Sequence, residues 1–515
     1  MKPNHAGQIL DFSTCRPSPK GVSAAIEKPT TARSADFLWV DFDAGKQRKG
    51  QTLSGAKQTF LKTKLHQRRR EAQLQKLRTS IVPFPVQSSQ GKNHVFVDES
   101  FPPALNHPPI LYRSIDAEIK QCFPSLGVSS AVDLDLYFHY YNNYTSRACF
   151  PLSFDFITKW LWEQALLEPA LVPVILAGSA TQRGANLFLS GAPKYMIEDC
   201  TRDSLQLRVQ SVRTLRRFLD NPVGVDYEKI VLFVTQLLGT EQIEANDQAS
   251  RVHFKGLGQL IDAAGGLDNL GDYTVATVYC NDHLSALIRN STPMFRMSPR
   301  WRERVTREMA SLKNHVDFTR LPSLGSRLSN SPWLNGIHPK LPTLIESLKV
   351  LVLGHEGITK SGKGQHTIKH NCISLLAHEL LCLADECAGK PIDDTLRLSL
   401  LVYSAVRLWA FQGLACMYGV SLGLQKTINE GYEVLLAEAP DLLLWALFMG
   451  SFASQNLDCH GWFLSQLMDI AEYLSLTEWD CARVVLGEVF FVFRSTDQSA
   501  RVIWNSALQL RSSLI

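Results

Sequence analysis

Nowhere in the 515 residues do cysteines stand as C-x-x-C, so neither a zinc finger nor a thioredoxin-like redox motif can be built from them. The eleven cysteines are odd in number, widely scattered and mostly set in apolar segments. That usage suits buried thiols in a reducing compartment. The first twenty residues, MKPNHAGQILDFSTCRPSPK, lack the apolar core of a signal peptide, and without one the Asn143-Tyr144-Thr145 sequon carries no meaning. β-Branched alternating runs are scarce beyond Pro109, which argues against a sheet. Acidic residues are nearly missing between 46 and 78, where Glu71 is the one carboxylate among eleven cations.

What is present describes a globular protein. Hydrophobic residues make up 45% and charged residues 20%, enough to bury a large core. The length exceeds that of one ordinary core, so two or more units or one long helical array are expected. A net charge of +4 is too mild to imply nucleic acid by itself. Leu398–Leu424 is long enough to span a bilayer and holds a single charge, Arg407. An arginine near the middle of such a span costs on the order of 3 kcal/mol, and serines and glycines interrupt the run. It reads as a fully buried helix and its turn, with no membrane partner.

Residues 1–35 are rich in Ser, Thr, Pro and Lys and read as disordered. Asp36–Phe42, DFLWVDF, is either a docking segment or a small mobile apolar cluster. Then come Lys46, Arg48, Lys49, Lys57, Lys62, Lys64, Arg68, Arg69, Arg70, Lys76 and Arg78. Ala56, Phe60, Leu61, Leu65, Leu74 and Leu77 give this stretch partial helical spacing. A basic helix can serve as a nuclear import signal or approach phosphates, and a charge run can also be a plain solvated tail. Residues 81–109 form a Pro-rich linker, placing a boundary near Pro109 between a disordered region, 1–109, and a helical domain, 110–515.

Beyond Pro109 helical signals continue to the end. Val132–Tyr144, Phe154–Leu167, Leu171–Ala180 with a break at Pro173, Tyr195–Leu219 and Asp226–Leu238 are the first. Within Tyr195–Leu219 the apolar stripe is Leu205, Val209, Val212, Leu215 or Arg216, and Leu219, with Arg208, Arg213, Arg216 and Arg217 on the wet face. Arg289–Lys340 is looser, with one basic helix. Leu341–Leu353, Lys369–Ala384, Leu396–Tyr418 and Tyr432–Met449, broken at Pro440, follow. Trp462–Leu476, Trp479–Arg494 and Ala500–Leu510 close the chain. The fold expected is all-α, an irregular multi-helix array of packed antiparallel helix pairs behind a disordered basic N-terminal region.

The most legible stretch is Val252–Ile288. Leu257, Leu260, Ile261 and Ala264 line one helix face, and Gly265-Gly266 can take the left-handed conformation that ends it. Asp268 or Asp272 can cap a second helix carrying Val275, Val278 or Tyr279, Asp282 and Ala286. This predicts an antiparallel pair joined by a short turn.

Two stretches come close to chemical motifs. Gly357–Gly364, GITKSGKG, follows a strand-like Val350–Leu353 and nearly spells a phosphate-binding loop. Gly364 stands where the magnesium-holding Ser or Thr is required, so a surface loop is favoured over nucleotide binding. His366 and His370 are spaced for a metal, with His378 nearby, but the glutamate of H-E-x-x-H is missing between them. His253 has no nucleophile partner and reads as a structural histidine. No catalytic constellation, cofactor or metal site is assigned.

His253, Gly256-Leu257 and Ala264-Gly265-Gly266-Leu267 together resemble the histidine, Gly-Leu and Arg-Gly-Gly-Leu pattern of the fungal-specific transcription factor domain; Ala264 replaces the arginine. Pro440-Asp441-Leu442-Leu443-Leu444-Trp445 is similar to that domain's Pro-x-Leu-x-x-Trp segment. Trp462-Phe463, Leu474, Leu476, Trp479, Val485-Leu486 and Phe490-Phe491 continue its order, so the resemblance covers roughly 120–510. Many members begin with a six-cysteine zinc cluster, absent here, since Cys15 is the only cysteine before Cys122. A subset carries an aromatic segment and an Arg/Lys-rich stretch instead, similar to 36–42 and 46–78. The resemblance implies a nuclear, non-enzymatic transcription regulator. Its partners would be the transcription machinery or other regulators, a nuclear import receptor, and DNA through weak phosphate contacts. The alternatives are a helical protein-interaction scaffold and a nucleotide-binding protein using loop 357–364.

Overall fold

In a computed structural model of the chain, the described residues are Phe123, Leu126, 132–149, 154–220, 226–358, 370–409, 411–492 and 497–514. The disordered region, the basic segment and the linker expected within 1–109 lie outside them. All described residues belong to one compact unit. The fold is all-α, with no β-strand among the described residues.

Helix α1 (Leu134–Tyr140) runs through a π-helical turn, Tyr141–Thr145, into α2 (Ser146–Cys149). On the widened turn, Asn142 accepts the indole N–H of Trp162 at 2.9 Å. Trp162 belongs to α3 (Phe154–Leu167), which stops before Pro169 as the sequence suggests. Pro173 does not break α4 (Leu171–Leu189), which runs on past Ala180. As the third residue of the helix, its missing N–H is one that has no intrahelical acceptor in any case.

Helix α5 (Lys194–Asp220) buries a face that shares Leu215 alone with the expected stripe. Leu205 and Val209 are exposed, and Cys200, Ser204, Leu207, Ser211 and Leu215 are turned inward. Small side chains let α4 and α5 approach closely. A Cβ at Gly184 would stand 3.3 Å from that of Cys200, and the hydroxyls of Thr181 and Ser204 meet at 2.6 Å. Close packing with satisfied hydroxyls outweighs raw hydrophobicity here. Arg213 and Arg217 are exposed as expected, but Arg208 is drawn inward to Glu241 and Glu244.

Helices α6 (Tyr227–Ile243), α7 (Asp247–Ala263) and α8 (Asp272–Arg289) follow. The expected α7–α8 pair packs chiefly on α6, which lies against both, rather than on itself. Next are α9 (Pro299–His315), the short α10 (Ser326–Asn330) and α11 (Leu341–His355). Val350–Leu353, which looks strand-like in sequence, is buried within α11.

The C-terminal half comprises α12 (His370–Cys382), α13 (Ala384–Cys387), α14 (Pro391–Arg407), α15 (Tyr418–Glu438), α16 (Pro440–Ala453), α17 (His460–Tyr473), α18 (Trp479–Phe490) and α19 (Asp497–Leu514). The expected helix 396–418 ends at Arg407, and a 3-10 turn at Ala415–Met417 precedes α15. The apolar run 398–424 is therefore divided between two helices. No helix among the described residues is long and apolar enough to cross a membrane. Pro440 opens α16, and every residue from Leu442 to Ala453 is buried. Helices α14, α15, α17 and α18 pack around it. Trp445 donates its indole N–H to the Phe490 carbonyl at 2.8 Å, so even the polar atom of this anchor is satisfied.

Candidate functional site

The eleven basic residues from Lys46 to Arg78, the tentative import or nucleic-acid segment, all lie outside the described residues. Among the described residues, the turn between α7 and α8 is where backbone geometry and buried charge converge. Gly265 and Gly266 both have positive φ, 86° and 101°. Gly266 N–H reaches back to the Ile261 carbonyl at 2.8 Å and Gly265 N–H to Asp262 at 3.0 Å. This is the paired closure of a left-handed helix end. Asn269 adds its side-chain amide to the carbonyls of Ala264 and Gly265.

Neither Asp268 nor Asp272 caps α8 as expected; Gly271 occupies the cap position. The cap comes from α6, where Glu228 accepts Gly271 N–H at 2.9 Å and the Thr274 hydroxyl at 2.7 Å. A partner 43 residues distant has no local sequence signal.

On α8, Val275, Val278, Tyr279, Asp282 and Ala286 are all buried, as the spacing predicts. Asp282 is fully enclosed and accepts the backbone N–H groups of Met294 at 2.9 Å and Phe295 at 2.8 Å. Burial pushes its carboxyl up to about 6, against the lowering effect of those two bonds. The Tyr279 hydroxyl accepts Ser298 N–H at 2.7 Å. The Ser298 hydroxyl in turn meets Asp268 and accepts Trp301 N–H at 3.2 Å, capping α9.

These bonds fold the loop after α8 back and set α9 beside the α7–α8 turn. Between them lies a cleft of about 510 Å³. Its floor is Leu270, Val275 and Trp301, and one wall is the turn with Asp268 and Asp272. The other wall is the outer face of α9, Arg300, Glu303, Arg304 and Arg307. Trp301, Val305 and Leu312 form the inner face of the same helix. The alternation of arginine with apolar residues in PRWRERV signals an amphipathic basic helix, but what stands opposite its basic face is a tertiary fact.

No family model, curated protein or solved structure matches the chain.

The remaining sequence candidates are dispersed. Residues 359–364 of the glycine-rich loop, and His366, lie outside the described residues, and so does the His370 side chain. The helix preceding that loop replaces the strand that a phosphate-binding loop requires. His378 points inward and its Nδ1 lies 3.2 Å from Nε2 of His283. No group of three or more metal-binding side chains is assembled among the described residues. His253 is held down at about 4 by burial and by the charge of Arg208. Arg208, bonded to Glu241 and Glu244, ties α5 to α6, and Asn246 joins the same network at 2.7 Å.

Proposed function

We propose that the chain is a nuclear, non-enzymatic regulator of transcription whose helical domain is preceded by a basic segment in place of a zinc cluster. What supports this reading is the place in the fold of the residues that carry the resemblance. Gly265 and Gly266 form the left-handed helix end. Leu257, Leu442, Trp445, Phe463, Trp479, Leu486, Phe490 and Phe491 are core residues, and Pro440 starts the most deeply buried helix. They serve as determinants of the chain's course, in the order in which the resemblance sets them. The sequence of 46–78 supplies the second support, because eleven cations with one acid suit an import receptor and DNA phosphates.

In this reading import is the main task of the segment. Its DNA contacts go to phosphates, since the sequence of 46–78 holds no cysteines for a zinc-held frame that would aim the side chains at base edges. Such binding is weak, little dependent on sequence and steeply reduced by salt. Replacing Arg68, Arg69 and Arg70 with alanine should move the tagged full-length protein from nucleus to cytoplasm. Unchanged nuclear retention would remove the import role. A cytoplasmic distribution of the parent protein would favour the scaffold alternative.

A further inference from the structure

We infer that the cleft between the α7–α8 turn and α9 binds a small organic anion, with an oxyanion head held by arginine and an apolar body resting on the floor. Its volume, about 510 Å³, falls within the ordinary range for small-ligand sites, roughly 300–1,000 Å³.

Three carboxylates and three guanidiniums line the cleft, and they differ in availability. Asp268 is committed to the Ser298 hydroxyl, and Asp272 to Nη1 of Arg304. Glu303 faces Arg307 at 3.8 Å in a pair that is 74% exposed on both sides, a contact of little strength in water. The arginines, with five N–H donors each, retain a surplus. Arg300 has no carboxylate partner among the described residues. Nε and Nη2 of Arg304 are enclosed and have no hydrogen-bond acceptor, the Glu308 carboxylate standing 4.0 Å from Nε. Trp301, 4% exposed and part of the floor, likewise has an indole N–H without an acceptor.

Enclosed donors without acceptors are costly, and an oxyanion supplies what they lack. Turning Arg304 into the cleft gives up no hydrogen bond at Nε or Nη2 and exchanges its ion pairs with Asp272 and Glu308 for one with the ligand. The N-termini of α8 and α9, each a helix of at least 17 residues, border the same space, the first capped by the Glu228 carboxylate and the second by the Ser298 hydroxyl. The guanidinium fork fits a carboxylate or a phosphate equally well. Leu270, Val275 and Trp301 favour a ligand with an apolar part over a bare ion.

Titration calorimetry on the full-length chain tests this with three probes: benzoate, phenyl phosphate and inorganic phosphate. Saturable one-to-one binding of benzoate or phenyl phosphate is expected, tighter than that of inorganic phosphate, and the better of the two identifies the head group. Arg304→Gln should weaken binding about tenfold or more, the scale of one charge-assisted hydrogen bond. Arg300→Gln, at an exposed position, should weaken it as well with the helical circular dichroism signal unchanged. Asp272→Asn should strengthen it about two- to fivefold by freeing Arg304 from a competing carboxylate. No saturable binding of any probe up to about 10 mM, or equal affinity for inorganic phosphate and phenyl phosphate, would overturn the proposal. So would Asp272→Asn weakening the binding, or both arginine variants leaving it unchanged.

Discussion

At the residue scale, Gly419 shows how a single missing side chain sets a helix crossing. A Cβ at this position would collide with the Ile288 carbonyl oxygen, where α15 passes the end of α8. The neighbour is backbone and cannot swing away, so Gly419→Ala should cost about 1–3 kcal/mol, read as a drop in denaturant midpoint. An unchanged midpoint would mean that the two helices are not in such close contact. Nothing local distinguishes Gly419 in the sequence, since a lone glycine in a helical run announces no partner. Gly265-Gly266 were legible because a glycine pair ending an apolar-periodic segment has one common structural meaning.

Buried histidines give a residue-scale pH dependence. Burial, with Arg208 beside His253 and Arg302 near His378, holds both at about 4, against an ordinary 6.5. Between these values the unfolded chain binds more protons than the folded one, so stability rises with pH. Their contribution is complete above 6.5 and is lost as pH falls toward 4. Asp282 acts in the opposite direction, because its raised carboxyl binds protons in the folded state between 3.8 and about 6. His460 is lowered by burial in the same way and Glu244 is raised by it, so three histidines stand against two carboxyls and the melting temperature should fall from about pH 7 to about pH 5. A flat or rising profile would show that the histidines titrate normally.

At the scale of elements, α14 carries a charge that the sequence marked without naming its partner. Arg407 is 3% exposed and pairs with Glu356 at the end of α11. Its presence argued against a membrane span, and the ion pair shows how the fold accommodates it. Glu356→Ala should destabilise the protein by about 3–5 kcal/mol, because it removes a carboxylate bonded to a buried guanidinium. Exchanging Arg407 for methionine in the same chain should recover part of the loss. A single substitution without effect would mean that water reaches Arg407. The element-scale error in α5 has a related cause. Periodicity identified the helix, but two stripes compete on it, and the close approach of α4 selects the one with serines and a cysteine.

At the scale of the whole molecule, helix spacing, proline stops and the scarcity of alternating runs made the all-α class legible. They did not show that α6 separates α7 from α8 as their common support, nor that α9 closes a cleft over their turn. Both depend on contacts between residues far apart in the chain, which periodicity does not encode. The cleft's arginines could be seen as a basic helix and nothing more. The functional reading rests on the core residues that resemble a regulator's domain and on the cations of 46–78. Chromatin mapping of the tagged full-length protein in its native cells tests that reading most directly. Enrichment at a limited set of sites upstream of genes is the expected result. Background signal across the genome, with the protein expressed at normal level, would contradict it.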